Sequence, residues 1–156
     1  MSRIRSTDTK PELLLRSALW ARGARGWRCQ WRAPGGRIDI AFTRWKVAVF
    51  VDGSFWHGHP SKWQPGRWTG YWDEKIKRNM ARDRRQNDAL VANGWEILRL
   101  WDFEIEHDAH AAAARVTTVL RARQRGHISN RNRELGRIAL GAPHGDEPAA
   151  ARTSAT

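Results

Sequence analysis

Two short apolar runs, "RIDIAFT" at 37–43 and "WKVAVFVDG" at 45–53, follow one another almost without interruption, and each carries one aspartate. Val, Ile and Phe dominate both, so each reads as a strand. Trp45 and Lys46 form the bend, and the expectation is that the strands are antiparallel neighbours across the 43–46 turn. Asp39, between Ile38 and Ile40, and Asp52, at the end of "VAVFVD", can then reach the same end of the sheet. An unpaired carboxylate on an apolar strand is costly. Two converging there are a common arrangement for Mg²⁺, a hard cation that takes oxygen ligands and keeps several waters. Beside a phosphodiester such an ion stabilises charge and helps to activate water. The alternative is structural: both aspartates make backbone hydrogen bonds, and Asp52-Gly53 is a frequent turn dipeptide.

The segments around this pair predict the rest of the fold. "STDTKPELLLRSALWARG" reads as a helix, with Thr9 and Glu12 as a capping box and Pro11 in the first turn. Leu13, Leu14, Ala18 and Leu19 give it an apolar face, and Gly23 stops it. "GWRCQWRA" is a strand and "PGG" at 34–36 a turn. Residues 58–71 are irregular, a second helix covers about 71–93, "WEILRLWDFEI" is a fourth strand, and "DAHAAAARVTTVLRARQR" is a last helix. The order implies an α/β fold, a small mixed sheet of about four strands flanked by helices. Residues 1–125 form the domain. Residues 126–156, rich in Gly, Pro, Ala, Ser and Arg, read as a basic, disordered tail.

The formal net charge of +12 predicts a polyanionic partner, most simply nucleic acid. The tail does not explain it: residues 121–156 hold seven Arg and three acids, leaving 21 basic and 13 acidic groups in 1–120. The single cysteine, Cys29, excludes an internal disulfide and a thiolate zinc cluster. No apolar run approaches the roughly eighteen residues of a membrane span, and no hydrophobic segment follows the basic N-terminus, which argues against a secretory signal. Together with the lone thiol this suits a reducing cytoplasm.

Further candidate residues lie C-terminal to the paired strands. His57, five positions after Asp52, suits general-base work on water beside a carboxylate site, although a lone histidine is more often structural. In "YWDEKIKRNMARDRRQNDALVANG" a step of about 100° aligns Ile76, Met80, Asp83, Asn87 and Leu90 on one stripe. Asp83 therefore falls on the face to be buried and needs a partner there, for which the Asp39, Asp52 and His57 cluster is a candidate. Lys75, Arg78, Arg82 and Arg85 cluster on the opposite face, as on a phosphate-tracking surface. Phe55, Trp56, Trp63, Trp68, Tyr71 and Trp72 crowd one loop, where some can stack on or wedge between bases while the others cover the sheet.

Five blocks, "RSTDTKPELLLRSAL", "GRIDIAF", "VFVDGSFWHGHP", "YWDEKIKRNMARDRR" and "GWEILRLWD", stand in the order and spacing of very short patch repair (Vsr) endonucleases. The chain resembles that family over about residues 1–105. The resemblance implies a restriction-endonuclease-like fold and Mg²⁺-dependent nicking on the 5′ side of the thymine in a T:G mismatch, left when 5-methylcytosine deaminates. By position, Asp39 is similar to the family's central metal-binding aspartate and Val51 to the residue that offers a backbone carbonyl to metal. His57 is similar to its general base, and Glu12 and Asp83 to acids around the site. Phe55, Trp56 and Trp72 are similar to its duplex-wedging aromatics. Asp52 stands where the best-known members have a second histidine, so it is expected as a second metal carboxylate. The family's structural zinc site falls on Ser54, His59, Ser61 and Phe103, of which only His59 can ligate zinc. Zinc is therefore not expected, and packing of Trp63 and Trp68 is expected to hold the loop instead.

The resulting expectation is a monomeric, cytoplasmic, nucleoid-associated DNA endonuclease acting on double-stranded DNA with a T:G mismatch. Asp39 and Asp52 hold Mg²⁺, His57 deprotonates water, and Asp83 and Glu12 tune the site. Lys75, Arg78, Arg82 and Arg85 join the aromatics on DNA. Other repair proteins or a cytosine methyltransferase system are candidate partners. Two alternatives remain: a restriction-like nuclease of different specificity, and a DNA-binding module without catalysis.

Overall fold

The computed structural model describes residues 7–67 and 70–139, with side chains as far as Ser129. The elements are α1 (Lys10–Ala21), β1 (Arg28–Ala33), β2 (Gly36–Phe42), β3 (Val47–Asp52), α2 (Gly70–Ala92), β4 (Glu96–Trp101), α3 (Asp102–His107) and α4 (Ala109–Ala139). The chain divides into two units, Met1–Gln124 and Arg125–Thr156. The sheet and every candidate site residue lie in the first.

The four strands form one mixed sheet in the order β1-β2-β3-β4. β1 with β2 and β2 with β3 are antiparallel, and β3 with β4 is parallel. A parallel neighbour needs a long crossover, and α2 supplies it between β3 and β4. One core cluster joins Ile40, Phe42, Val47, Val49 and Leu100 to Leu15 and Leu19 of α1, Ile105 of α3 and Val116 of α4. A second joins Ile38, Ala41, Ala48 and Phe50 to Leu90 of α2. Both sheet faces are thus covered, which accounts for the nearly continuous apolar composition of β3.

Three details differ from the sequence expectation. The buried face of α1 is Leu15, Ala18 and Leu19, whereas Leu13 is exposed. The strand read through Ile105 stops at Trp101, because "WDFEI" alternates like a strand yet carries acids suited to a first helical turn. There the Glu104 carboxylate accepts the Trp101 N–H and Asp102 accepts the Phe103 N–H. Finally, α4 runs to Ala139, so residues 126–139 are helical where composition suggested disorder. Trp68 and residues 140–156 lie outside the described residues.

The β1–β2 turn packs against α2 through glycine. Gly35 has a left-handed backbone, φ 86°, and a Cβ there would meet the Gln86 Cα at 3.0 Å. Gly66 has a similar φ of 79° with nothing within 4 Å. Gly66→Ala is expected to cost about 1–2 kcal/mol from backbone strain alone, and Gly35→Ala distinctly more because α2 must move. Urea unfolding of the two variants checks the order.

Candidate active site

The site begins where β2 and β3 stop pairing. Their register runs Phe42↔Val47, Ala41↔Ala48 and Ile40↔Val49. Beyond it the Val51 N–H donates to Asp39 Oδ2 at 2.9 Å, so a side chain replaces a ladder carbonyl. Ile38 and Ile40 pack into different core clusters, although a regular strand would put them on one face. Asp39 lies at that reversal. From β1, Gln30 adopts a left-handed backbone, φ 51°, and its Nε2 donates to Asp39 Oδ1 at 3.2 Å.

A second group assembles on α2, β4 and the loop after β3. His57 Nδ1 lies 2.6 Å from Asp83 Oδ2. An ionised carboxylate only accepts, so Nδ1 carries the proton and Nε2 is left as the basic nitrogen. The His57 N–H bonds the Gly53 carbonyl at 3.0 Å and fixes the loop that presents the ring. Arg99 of β4 forks onto Asp52, Nε to Oδ2 at 2.6 Å and Nη2 to Oδ1 at 2.9 Å. It also reaches Asn87 Oδ1 at 2.9 Å and Asp83 Oδ1 at 3.3 Å. Asp52, expected beside Asp39 as a metal ligand, thus commits both oxygens to a guanidinium. Sequence reasoning missed Arg99; the signal was an arginine inside the otherwise apolar "ILRLW".

Glu12 is buried and accepts the Asp8 N–H at 3.1 Å and the Thr9 hydroxyl at 2.9 Å. The reciprocal capping box is not formed, because the Thr9 hydroxyl donates to the carboxylate and caps no amide. Instead Glu12 lines one cleft of about 760 Å³ together with Asp39, Val51, Asp52, His57, Asp83 and Arg99. Its wall on α2 includes Lys75, Asn79, Arg82 and Gln86. The expected basic stripe therefore splits: Lys75 and Arg82 line the cleft, while Arg78 and Arg85 are exposed and do not. Trp56 lines the cleft, and Phe55, Trp56 and Trp72 pack mutually with centroids 5.1 to 6.4 Å apart. Lys75 Nζ lies 4.9 Å from the Trp56 ring, a cation–π arrangement.

The electrostatics separate the two groups. Burial pushes the Asp39 carboxyl up; the hydrogen bond from Val51 opposes this, and repulsion from Glu12 and Asp52 adds to it, leaving Asp39 above the ordinary carboxylate range. Burial also pushes Asp83 up, but the hydrogen bond and charge of His57 and the charges of Arg99 and Arg82 outweigh it, holding Asp83 below that range. Among the described residues no three His, Cys, Asp or Glu side chains are gathered as a metal-binding group. The donors near Asp39 are nonetheless hard oxygens, and the mutual repulsion of Asp39 and Glu12 is what a cation would relieve. Such donors fit a small divalent ion.

A family model for "DNA mismatch endonuclease Vsr" matches residues 1–63. "Type II nicking enzyme V.HpaIIP" of Haemophilus parainfluenzae is 42% identical over 106 residues, covering 65% of this chain and 73% of the relative. "Type II nicking enzyme V.XorIIP" of Xanthomonas oryzae pv. oryzae is 38% identical over 122 residues, 77% of this chain and 88% of the relative. "DNA mismatch endonuclease Vsr" of Escherichia coli is 35% identical over 104 residues, 65% and 66%. The chain belongs to the Vsr family. It is a DNA endonuclease with the restriction-endonuclease-like fold expected of that family.

The loop where the resemblance implies zinc is held by other contacts. His59 Nδ1 lies 2.8 Å from the Ser61 Oγ, and the His59 ring meets Trp101 and Phe103 edge-on at 4.7 and 5.0 Å. Farther along, Asp73 accepts the Trp63 indole N–H at 3.0 Å and the Gly66 N–H at 2.8 Å. The expected packing of Trp63 thus takes the form of a hydrogen-bonded clasp to α2. These residues do not fit a zinc site, so purified protein is expected to hold no stoichiometric zinc and to melt at the same temperature with or without EDTA. Asp73→Ala, which leaves the buried indole N–H unpaired, is expected to cost about 1–3 kcal/mol. Elemental analysis and thermal unfolding measure all three.

Asp83, depressed when folded, adds stability that is complete above the ordinary carboxylate range and is lost as pH falls through its lower folded value. Asp83→Asn is therefore expected to be about 1.5–3 kcal/mol less stable than wild type at neutral pH. The gap closes only in strong acid, as urea unfolding across pH will show.

Proposed function

We propose that this endonuclease nicks double-stranded DNA on the 5′ side of the thymine in a T:G mismatch, in a reaction dependent on Mg²⁺. The observation that carries this reading is the presence of Asp39 and the His57–Asp83 pair in one cleft of a Vsr-family chain. Asp39, Glu12 and the Val51 carbonyl would hold the ion, with Asp52 withdrawn onto Arg99. A bound Mg²⁺ supplies charge neutralisation at the scissile phosphate and lowers the pKa of water. His57 Nε2 takes the proton from the attacking water. Asp83 holds the ring in the productive tautomer and stabilises the imidazolium that forms. Lys75 and Arg82 attract phosphates along the cleft wall, and Phe55, Trp56 and Trp72 offer apolar edges to unstack the weakened base step. The expectation of a cytoplasmic monomer belongs to the same reading; no helix among the described residues is long and apolar enough to cross a membrane.

A second reading keeps the nicking chemistry and changes the base context. It is favoured by relatives named as type II nicking enzymes. Otherwise identical T:G and T:A duplexes, incubated with enzyme and Mg²⁺, separate the two readings. The first expects nicking of T:G alone, one bond 5′ of the thymine. Asp39→Ala and His57→Ala are each expected to lower kcat by about 10²–10⁴-fold without loss of duplex binding. Binding with no cleavage by wild type on any duplex would leave only a DNA-binding module.

A further inference from the structure

His57 Nδ1 has two carboxylates within reach and one proton to give. Asp83 Oδ2 is at 2.6 Å and Asp52 Oδ1 at 3.6 Å. The two acceptors are chemically alike, so what else each one bonds decides the competition. Asp52 is 7% exposed and receives the Arg99 fork on both oxygens. Asp83 receives no fork: its nearest guanidinium contact is the 3.3 Å approach of Arg99 Nη2, and Arg82 stands at 4.0 Å. Arg99 is itself held on several sides, by Asn87 at Nη1 and by the Phe50 ring 4.6 Å from its guanidinium carbon.

We propose that Arg99 is a positioning residue that decides which carboxylate His57 binds: by occupying Asp52 it leaves His57 to Asp83, and so aims Nε2 into the cleft. Asp52 is then the partner of Arg99 and does not hold the metal. The two act as one unit, so losing Arg99 alone frees a carboxylate to pull the ring away, whereas losing both removes the competitor. Lysine is a poor substitute, since a point charge does not saturate both oxygens as a planar fork does. The inference rests on His57 acting as the general base.

The test compares Arg99→Met, Asp52→Asn, the double variant and His57→Ala, at a temperature where urea unfolding finds all of them folded. Readouts are kcat and KM on the T:G duplex and the ¹⁵N shifts of the His57 ring in free protein. Arg99→Met is expected to lower kcat by about 10²-fold with KM little changed, and to shift the His57 ring nitrogens. Asp52→Asn added to Arg99→Met is expected to restore about 10-fold of kcat and to return the nitrogens towards their wild-type shifts. A scaffolding role for Arg99 predicts unchanged nitrogens, or a double variant no faster than Arg99→Met, and either result overturns the proposal. So does Asp52→Asn alone being as inactive as Asp39→Ala, the behaviour of a metal ligand. If His57→Ala cuts normally, the general-base reading fails instead, and the ring shifts still report whether Arg99 directs His57.

Discussion

The cleft exists because a carboxylate occupies a place in the sheet that a carbonyl normally fills. At Asp39 the β2–β3 ladder ends and the Val51 amide turns to a side chain. This keeps a part-buried N–H satisfied, as a backbone donor removed from water needs to be, while the strands separate. Gln30 closes the other side in a left-handed conformation that costs a non-glycine residue backbone energy. The separation gives Asp39 a half-buried position near Glu12, where its charge is disfavoured. The same step that opens the sheet therefore loads the site electrostatically.

Around that opening the charges are sorted by element. α1 and β2 bring Glu12 and Asp39, which repel each other. β3, β4 and α2 bring Asp52, Arg99 and Asp83, which attract. The consequence is two neighbouring environments in one cavity, one without a paired cation among the described residues and one in which Arg99 bridges two carboxylates. Separated pKa values of this kind are what hydrolysis needs when one group binds a cation and another holds a proton in place.

Much of this was legible in the sequence, for identifiable reasons. β2 and β3 stand out because they are short, apolar and adjacent, and each aspartate is conspicuous against Val, Ile and Phe. Asp83 could be placed inward because the spacing of Ile76, Met80 and Leu90 defines a helical face. Arg99 could not be placed, since its partners depend on the parallel register of β3 with β4, a pairing that no local pattern encodes. The Asp52–Arg99 ion pair was hidden by the same omission. The early end of β4 was hidden because the alternation of "WDFEI" satisfies a strand as well as a helix start. The inward set of Lys75 and Arg82 was missed because a cleft wall lies beside the buried stripe, not opposite it.

α2 carries both Trp72, in the aromatic cluster, and Asp83, which holds His57. Eleven residues at about 1.5 Å each separate them by roughly 16 Å of rigid rod. The distance from the aromatic edge to the histidine's anchor is therefore set by a count of residues, and no loop can absorb an error in it. Substitutions along the outer face of this helix, at Arg78 or Arg85, leave that spacing intact. Inserting one residue between Trp72 and Asp83 would swing the carboxylate by about 100° and end its contact with His57. This segment is thus open to changes of side chain and closed to changes of length.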